Sequence, residues 1–493
     1  MSVNNSKNGS VMIAALIIAI VTGSLVGLFL KTVTQEIEYA HRSRMALMAV
    51  NVAEAGIEHA LYAFNEEDWS GWNKGTYGYY KPTIWLRYSE QELKRKEART
   101  ARVYIQTEDD PPRAVAEGIV TKPNGMQVTR QIYVELGNRS LFANGILAKT
   151  SLGFNGNGIY VDSYLSSVDG GYKAWYTDDD GNYRENLNDN GSVASLSVEA
   201  DAMNFGNADI WGTAATGGGS LAVGPNGTVR GEDTPAGVSI DTTRVSYDFY
   251  ASVPDAELPT KYWSSAPSGY TITTGDYTLT DFIIKSGDII VIEGEVELYV
   301  KDDVNISGVL LLAPDSTLKI YVADDFTVDG NAAAIANIQI TDETYAKFLN
   351  EDGSRDYATL EDWVVNEMKA DEDDTTYSLV GVPENLQVFS LGKDDPSTST
   401  IETPEFKLAG RGSFAGSVYA PNADINLGGS GNKGEMFGAV VGDTISFGGG
   451  YRFHYDEDLA DLESPLSKKV TRWVELTDAS MRKDMSKMLS TGF

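Results

Sequence analysis

The sequence predicts a mainly β protein with one long N-terminal α-helix. A small α+β module is built on that helix, and a right-handed parallel β-helix-like domain follows. Three observations predict this plan. An uncharged apolar run at the N-terminus continues into a helix-forming stretch without proline. Short alternating segments rich in β-branched residues and aromatics, broken by Gly, Asn and Asp, fill the rest. Two pairs of segments repeat at short, near-constant offsets.

The N-terminal region sets the first element. Residues 1–9 are short and polar, with Lys7 as the basic residue. Ser10–Leu30 carries no charge, and a run of about 20 residues spans the ~30 Å hydrocarbon layer. It is longer than the core of an ordinary secretory signal, and no small-x-small cleavage site follows it. Lys31–Phe64 contains no proline, and Gly56 is its one glycine. Ala46, Val50, Ala53, Ile57, Ala60, Leu61 and Phe64 fall three or four apart and mark one face. Val11–Phe64 therefore reads as a single helix of about 80 Å, transmembrane over 10–30 and amphipathic beyond.

Asn65–Pro82 is rich in aromatics (Trp69, Trp72, Tyr77, Tyr79, Tyr80) and is expected to wrap the end of the helix. Ser89–Arg99 reads as a short charged helix. Ala101–Gln106, Ala114–Thr121 and Gln127–Leu136 alternate as strands, with Pro111-Pro112 and Pro123-Asn-Gly125 as turns. Three antiparallel strands on a long helix give an α+β module over 10–140, with the meander at 65–140.

Beyond 140 the repeats dominate. Val296–Gly308 aligns with Leu318–Gly330 at an offset of 22, with Tyr, Val, the Asp-Asp pair and the closing Gly coinciding. Val418–Gly428 aligns with Gly438–Gly448 at an offset of 20. Such spacing, with two short strands and a Gly turn, suits one coil of a parallel β-helix, each coil burying alternate Val, Ile and Leu on the last. Gly145–Val161, Ala208–Gly212 and Ser220–Arg230 fit more loosely; a β-sandwich is the competing plan. The β-helix-like domain is placed at 141–460. A helical insertion occupies 341–376, with helices at Tyr345–Leu349 and Leu360–Met368 and an acidic turn at Asp371–Asp374. The tail, 461–493, holds a strand at Val470–Leu476 and an amphipathic helix at Asp478–Leu489.

Charge and composition exclude several chemistries. With 39 basic against 71 acidic residues the net charge is −32, which repels phosphate backbones and argues against nucleic-acid binding. The absence of cysteine excludes disulfides, thiolate catalysis and Cys-based zinc sites. His454, Asp456 and Glu457 combine histidine with carboxylates, and the other two histidines, His41 and His59, lie on the N-terminal helix; hydrogen bonding or capping is the favoured role. Asp178-Asp-Asp-Gly181 suggests a calcium loop, but Tyr176 and Leu187 fall where the first and last EF-hand ligands belong. That leaves Asp178, Asp180 and Asp189 as candidates for a non-EF-hand Ca²⁺ site. Gly429-Ser-Gly-Asn-Lys-Gly434 matches a dinucleotide fingerprint, yet a strand at Phe437–Val441 follows it, so it reads as a turn. No catalytic residue and no organic cofactor is assigned.

Gly9-Ser-Val-Met-Ile-Ala-Ala-Leu16, with Ala53-Glu-Ala-Gly-Ile57, resembles the N-terminus of PilX-type pilus assembly proteins, a type IV pilin-like family. Tyr160–Ser167, the pair at 296–330, Gly416–Asp424, and Phe453–Glu457 with Leu459 resemble the C-terminal domain found in many of them. The resemblance implies a pilin-like α+β module and a prepilin-type leader, 1–9, cut by prepilin peptidase between Gly9 and Ser10. It also implies insertion in the inner membrane, then assembly with other pilin subunits through the helix into a cell-surface filament. Asn8 stands where Lys or Arg usually precedes the glycine. Ala14 occupies the fifth mature position, where major pilins carry a Glu that pairs with a neighbouring N-terminus in lipid. Both departures point to a minor or tip-located subunit. The expectation is a non-enzymatic filament protein presenting its β domain to surface polysaccharide or a cell surface. A membrane-tethered polysaccharide-binding or polysaccharide-active β-helix protein is the alternative, and a membrane-tethered scaffold outside any filament is a third class.

Overall fold

The computed structural model describes residues 6–65, 68–75, 78–85, 98–108, 111–167, 188–329, 335–339, 342–348, 350, 356, 359–360, 363, 381–392, 403–408, 413–428, 434–462 and 464–477. The protein has a long N-terminal helix and is otherwise mostly β, with a large parallel sheet. It divides into two units: residues 1–137 with 468–493, and residues 138–467.

In the first unit, α1 (Ser6–Asn65) is continuous, and at 1.5 Å per residue it is about 90 Å long. Met12–Leu30 is exposed throughout, and α1 is the one helix among the described residues long and apolar enough to cross a membrane. From Met45 onward one face is buried, through Ala49, Val52, Ala53, Ile57, Ala60 and Ala63. The buried stripe shares Ala53, Ile57 and Ala60 with the expected face, while Ala46, Val50, Leu61 and Phe64 are half-buried at its margins. Small residues explain the shift, because they let the sheet approach the helix closely. A Cβ on Gly118 would lie 1.9 Å from the Ala49 carbonyl oxygen, and one on Gly56 would lie 2.8 Å from Val103 Cγ2. The glycine of the Ala-Glu-Ala-Gly motif is thus a packing residue.

That face meets an antiparallel meander of β1 (Asn73–Lys74), β2 (Gly78–Trp85), β3 (Ala98–Gln106), β4 (Arg113–Thr121) and β5 (Gln127–Arg139). The three expected strands are all present. The Pro123–Gly125 turn is closed by Lys122 N donating to Met126 O at 2.8 Å, with Gly125 at φ +81°. Beyond α1, Trp69 stacks on Tyr79 at 3.9 Å and meets Phe64 and Trp72 edge-on. Residues 89–97 of the expected charged helix lie outside the described residues, and Ala98 and Arg99 begin β3. The sixth strand comes from the far end of the chain: Ser464–Glu475 lies beside β5, with Arg130 on Glu475 and Thr471 Oγ1 donating to Glu135 O. The second unit is therefore an insertion between two neighbouring strands of the first.

Among the described residues of the second unit, 23 strands form one sheet whose ladders are parallel. Val296 through Val300 pairs with Leu318 through Val322, and Val304 through Ile306 with Phe326 through Val328, at the offset of 22 that the repeat shows. The second repeat differs from its expected register. Its offset of 20 holds for Asp424–Leu427 against Thr444–Phe447, but Gly416–Ala420 pairs with Gly438–Gly442 at 22. The cause is a bulge where Pro421-Asn-Ala423 opposes Asp443. Each stretch is also one strand, Ser413–Leu427 and Glu435–Gly448, rather than two.

One row shows the order of stacking. Phe282, Val304, Phe326, Phe406, Ile425, Ile445, Leu152, Met203 and Leu221 are successive register partners, and all but half-buried Leu221 are buried. The chain thus enters at the middle of the sheet with Ile146–Asn155, and its next strands build outward to Val245–Ser246. It resumes at the opposite edge with Ser264–Ser265 and returns inward to Glu435–Gly448, which pairs with the entry strand. Entry and exit meet, as an insertion between adjacent strands requires.

The 341–376 insertion contributes Asp342–Ala346, a helical turn, and helical residues at Thr359, Leu360 and Trp363. Tyr345, Phe348, Leu360 and Trp363 cover Ile289, Val291, Val309 and Leu311, a small core separate from the main one. The Asp371–Asp374 turn and the C-terminal helix at Asp478–Leu489 lie outside the described residues.

Candidate functional site

The residues with most chemical potential gather where the unit's last and first strands meet. Arg452–Asp456 pairs in parallel with Tyr160–Tyr164, which sets His454 opposite Asp162 and Asp456 opposite Tyr164. His454 Nδ1 lies 2.5 Å from Asp162 Oδ1, and both side chains are almost wholly buried. The imidazole stacks on Phe437, with ring centroids 4.8 Å apart. Burial raises the Asp162 carboxyl above its usual range, and the neighbouring His454 opposes that rise.

The two carboxylates after His454 have separate tasks. Asp456 Oδ1 accepts the backbone N–H of Ser166 at 3.1 Å and of Asp458 at 3.3 Å, capping the short 3₁₀ turn Glu457–Asp461. Its Oδ2 is buried and has no hydrogen-bond partner among the described residues, and burial pushes the carboxyl up to about 6. Glu457 accepts hydrogen bonds from Ser163 Oγ and Asn190 Nδ2, each at 2.8 Å, and from Asn188 Nδ2. Asp458 accepts from the backbone and hydroxyl of Ser167. Histidine and carboxylates therefore act as cross-strand ties. Ser163, the hydroxyl beside Asp162, donates to Glu457 rather than to the imidazole, so no nucleophile–base pair forms through it.

Of the three calcium candidates, Asp189 alone lies among the described residues. Asp178 and Asp180 lie outside the described residues, and Asp189 is engaged by Arg244, whose Nη2 approaches Asp189 Oδ2 at 2.5 Å. A different acidic group converges: Asp302, Asp303 and Asp324 hold carboxylate oxygens within 4.8 Å of one another. The offset-22 register stacks the two Asp-Asp pairs, so the repeat contained this signal although the residues read there as spacing. Partial burial raises the Asp303 carboxyl, and Asp302, Asp324 and Asp325 add like charge. The carboxylates also tie strand to strand, since Asp325 N donates to Asp303 Oδ1 and Glu405 N to Asp325 Oδ1. An all-oxygen donor set of this kind suits a hard cation such as Ca²⁺.

At the N-terminus, Gly9 and Ser10 lie within the first turns of α1. A family model described as a domain of unknown function (DUF7305) matches residues 360–462, which include Ser413–Leu427, Glu435–Gly448 and the strand carrying His454. No curated protein and no solved structure matches the chain.

Proposed function

We propose that this chain is a non-enzymatic minor subunit of a type IV pilus or related filament, located at or near the tip. In this reading its second unit coils as a right-handed parallel β-helix presented for adhesion or other surface contact. The observation that carries it is the division of α1. Met12–Leu30 is apolar and exposed along its whole length, while the helix from Met45 onward is the packed spine of a small antiparallel module. A membrane can cover the exposed stretch before assembly, and neighbouring helices can cover it afterwards.

Insertion of the second unit between β5 and Ser464–Glu475 leaves the small module's sheet order intact, so a bulky domain is carried without interrupting its spine. The departures at Asn8 and Ala14 favour a minor place, because a unit this large would crowd every lattice position. His454, on which an acid–base reading would rest, is tied to Asp162 beneath Phe437, which favours a structural role. Shearing filaments from intact cells and probing the sheared fraction for the chain tests the reading. Recovery in that fraction at low stoichiometry to the main subunit is expected; confinement to the cell membrane would overturn it.

A further inference from the structure

The second unit carries four Asn-x-Ser/Thr sequences, at Asn138, Asn190, Asn226 and Asn305. Such sequences are acceptors for N-linked glycan transfer when presented on the exported side of a membrane. The structure treats the four differently. Asn190 donates its amide to Glu457 Oε2 at 2.8 Å, and Ser140 of the Asn138 sequence is buried, donating to Leu459 O at 2.5 Å. Asn305 is held in mid-strand between two neighbours, with Ser307 Oγ donating to its Oδ1 at 3.0 Å.

Asn226 differs from the other three in how its own side chain is held. It sits in the turn Gly224–Gly227, closed by Gly227 N donating to Gly224 O at 3.1 Å, between strands Leu221–Ala222 and Thr228–Arg230. The residue is exposed, its backbone N–H is held by Asn207 Oδ1 at 3.3 Å, and its carboxamide makes no hydrogen bond to the described residues. The turn leaves the asparagine open, and Thr228 Oγ1, the hydroxyl two residues on, donates to Asp209 Oδ1, so a transferase reads that hydroxyl before the bond forms or in exchange for it.

We propose that Asn226 is an N-glycosylation site of this chain. The inference rests on the reading that the second unit is exported. In the step, Asn226 Nδ2 bonds to the anomeric carbon of a lipid pyrophosphate-linked oligosaccharide. The bond from that carbon to the pyrophosphate oxygen breaks, the lipid pyrophosphate leaves with the electron pair, and the amide proton passes to a base of the transferase. Thr228–Arg230 pairs with Asp209–Trp211 on one side, and on its other side the described residues offer one isolated bridge, Val229 to Ile240. Val229, which carries the outward backbone groups of that strand, donates its N–H to Ser239 O and accepts from Asp241 N, each at 2.9 Å, so the glycan would stand beside an edge already covered.

Chain purified from its own cells is digested, and the Asn226 peptide is measured by mass spectrometry with fragmentation that preserves glycans. Protease treatment of intact cells reports export in parallel. The expected result is a peptide heavier by a whole oligosaccharide, bare in N226Q and T228A and still modified in T228S. An Asn226 peptide found only at its bare mass, or at the mass of the spontaneous deamidation open to an Asn-Gly pair, in a surface-exposed chain overturns the inference and leaves the export reading standing. A second unit cut only after cell lysis overturns the export reading and the inference with it.

Discussion

Leu152 and Ile445 are register partners in adjacent parallel strands, although one lies near the start of the inserted unit and the other near its end. Both are buried, in one row with Phe154 and Phe447 stacked beside them at 4.7 Å. The contact closes the unit between its entry and its exit. Leu152→Ala is expected to cost about 2–5 kcal/mol, lowering the melting temperature of the whole second unit in one transition. A separate early transition confined to the entry strands would contradict that closure.

His454 and Asp162 make the polar counterpart of this closure. His454→Ala leaves a buried carboxyl without its partner, and a loss of about 3 kcal/mol is expected. The double variant H454A/D162A should lose less than the sum of the two single losses, by about 1–3 kcal/mol. Chemical denaturation of the four proteins measures this coupling, and simple additivity would show that the pair is not coupled.

Asp456 gives the unit a pH dependence of definite sign. Its carboxyl is raised from an ordinary 3.8 to about 6, so the folded state holds the proton more tightly than the unfolded one. The stabilisation from that proton is complete below about 4, fades as pH rises through about 6, and is absent above it. Asp456→Asn keeps an oxygen for the Ser166 and Asp458 N–H groups and removes the buried charge. It is expected to raise stability at pH 8 by about 2 kcal/mol and to flatten the profile between pH 4 and 7. Melting temperatures across that range decide it; an unchanged profile would place the titration elsewhere.

Gly118 fixes how closely the sheet of the first unit lies on α1. A methyl there would collide with the Ala49 carbonyl and with Ala53 N, both backbone atoms. Gly118→Ala should therefore cost more than about 3 kcal/mol, whereas Gly23→Ala, with nothing within 4 Å, should leave the unit's melting temperature unchanged. Equal behaviour of the two variants would contradict the close packing.

Local pattern made much of the fold legible. The uncharged run and the three- and four-residue spacing gave α1, and alternation with Pro and Asn-Gly turns gave β3 to β5. The Tyr-Val-x-Asp-Asp repeat gave a parallel register correct to the residue. Long-range order was not legible. Nothing local to Ser464–Glu475 says that it pairs beside β5, and nothing near Leu152 says that it meets Ile445, because chain closure is decided by which edges remain unpaired. The second repeat misled by two residues because a bulge leaves the apolar alternation on either side intact. At the candidate site His454 and its carboxylates stood out by composition, but Asp162 did not, since register rather than proximity in sequence brings it there.

In the proposed function, α1 is a filament helix released from a leader. Mass spectrometry of the chain's N-terminus, taken from sheared filaments, tests it most directly. The expected result is a chain beginning at Ser10 with a methylated amino group. A chain recovered solely from the membrane, and still beginning upstream of Gly9, would contradict it.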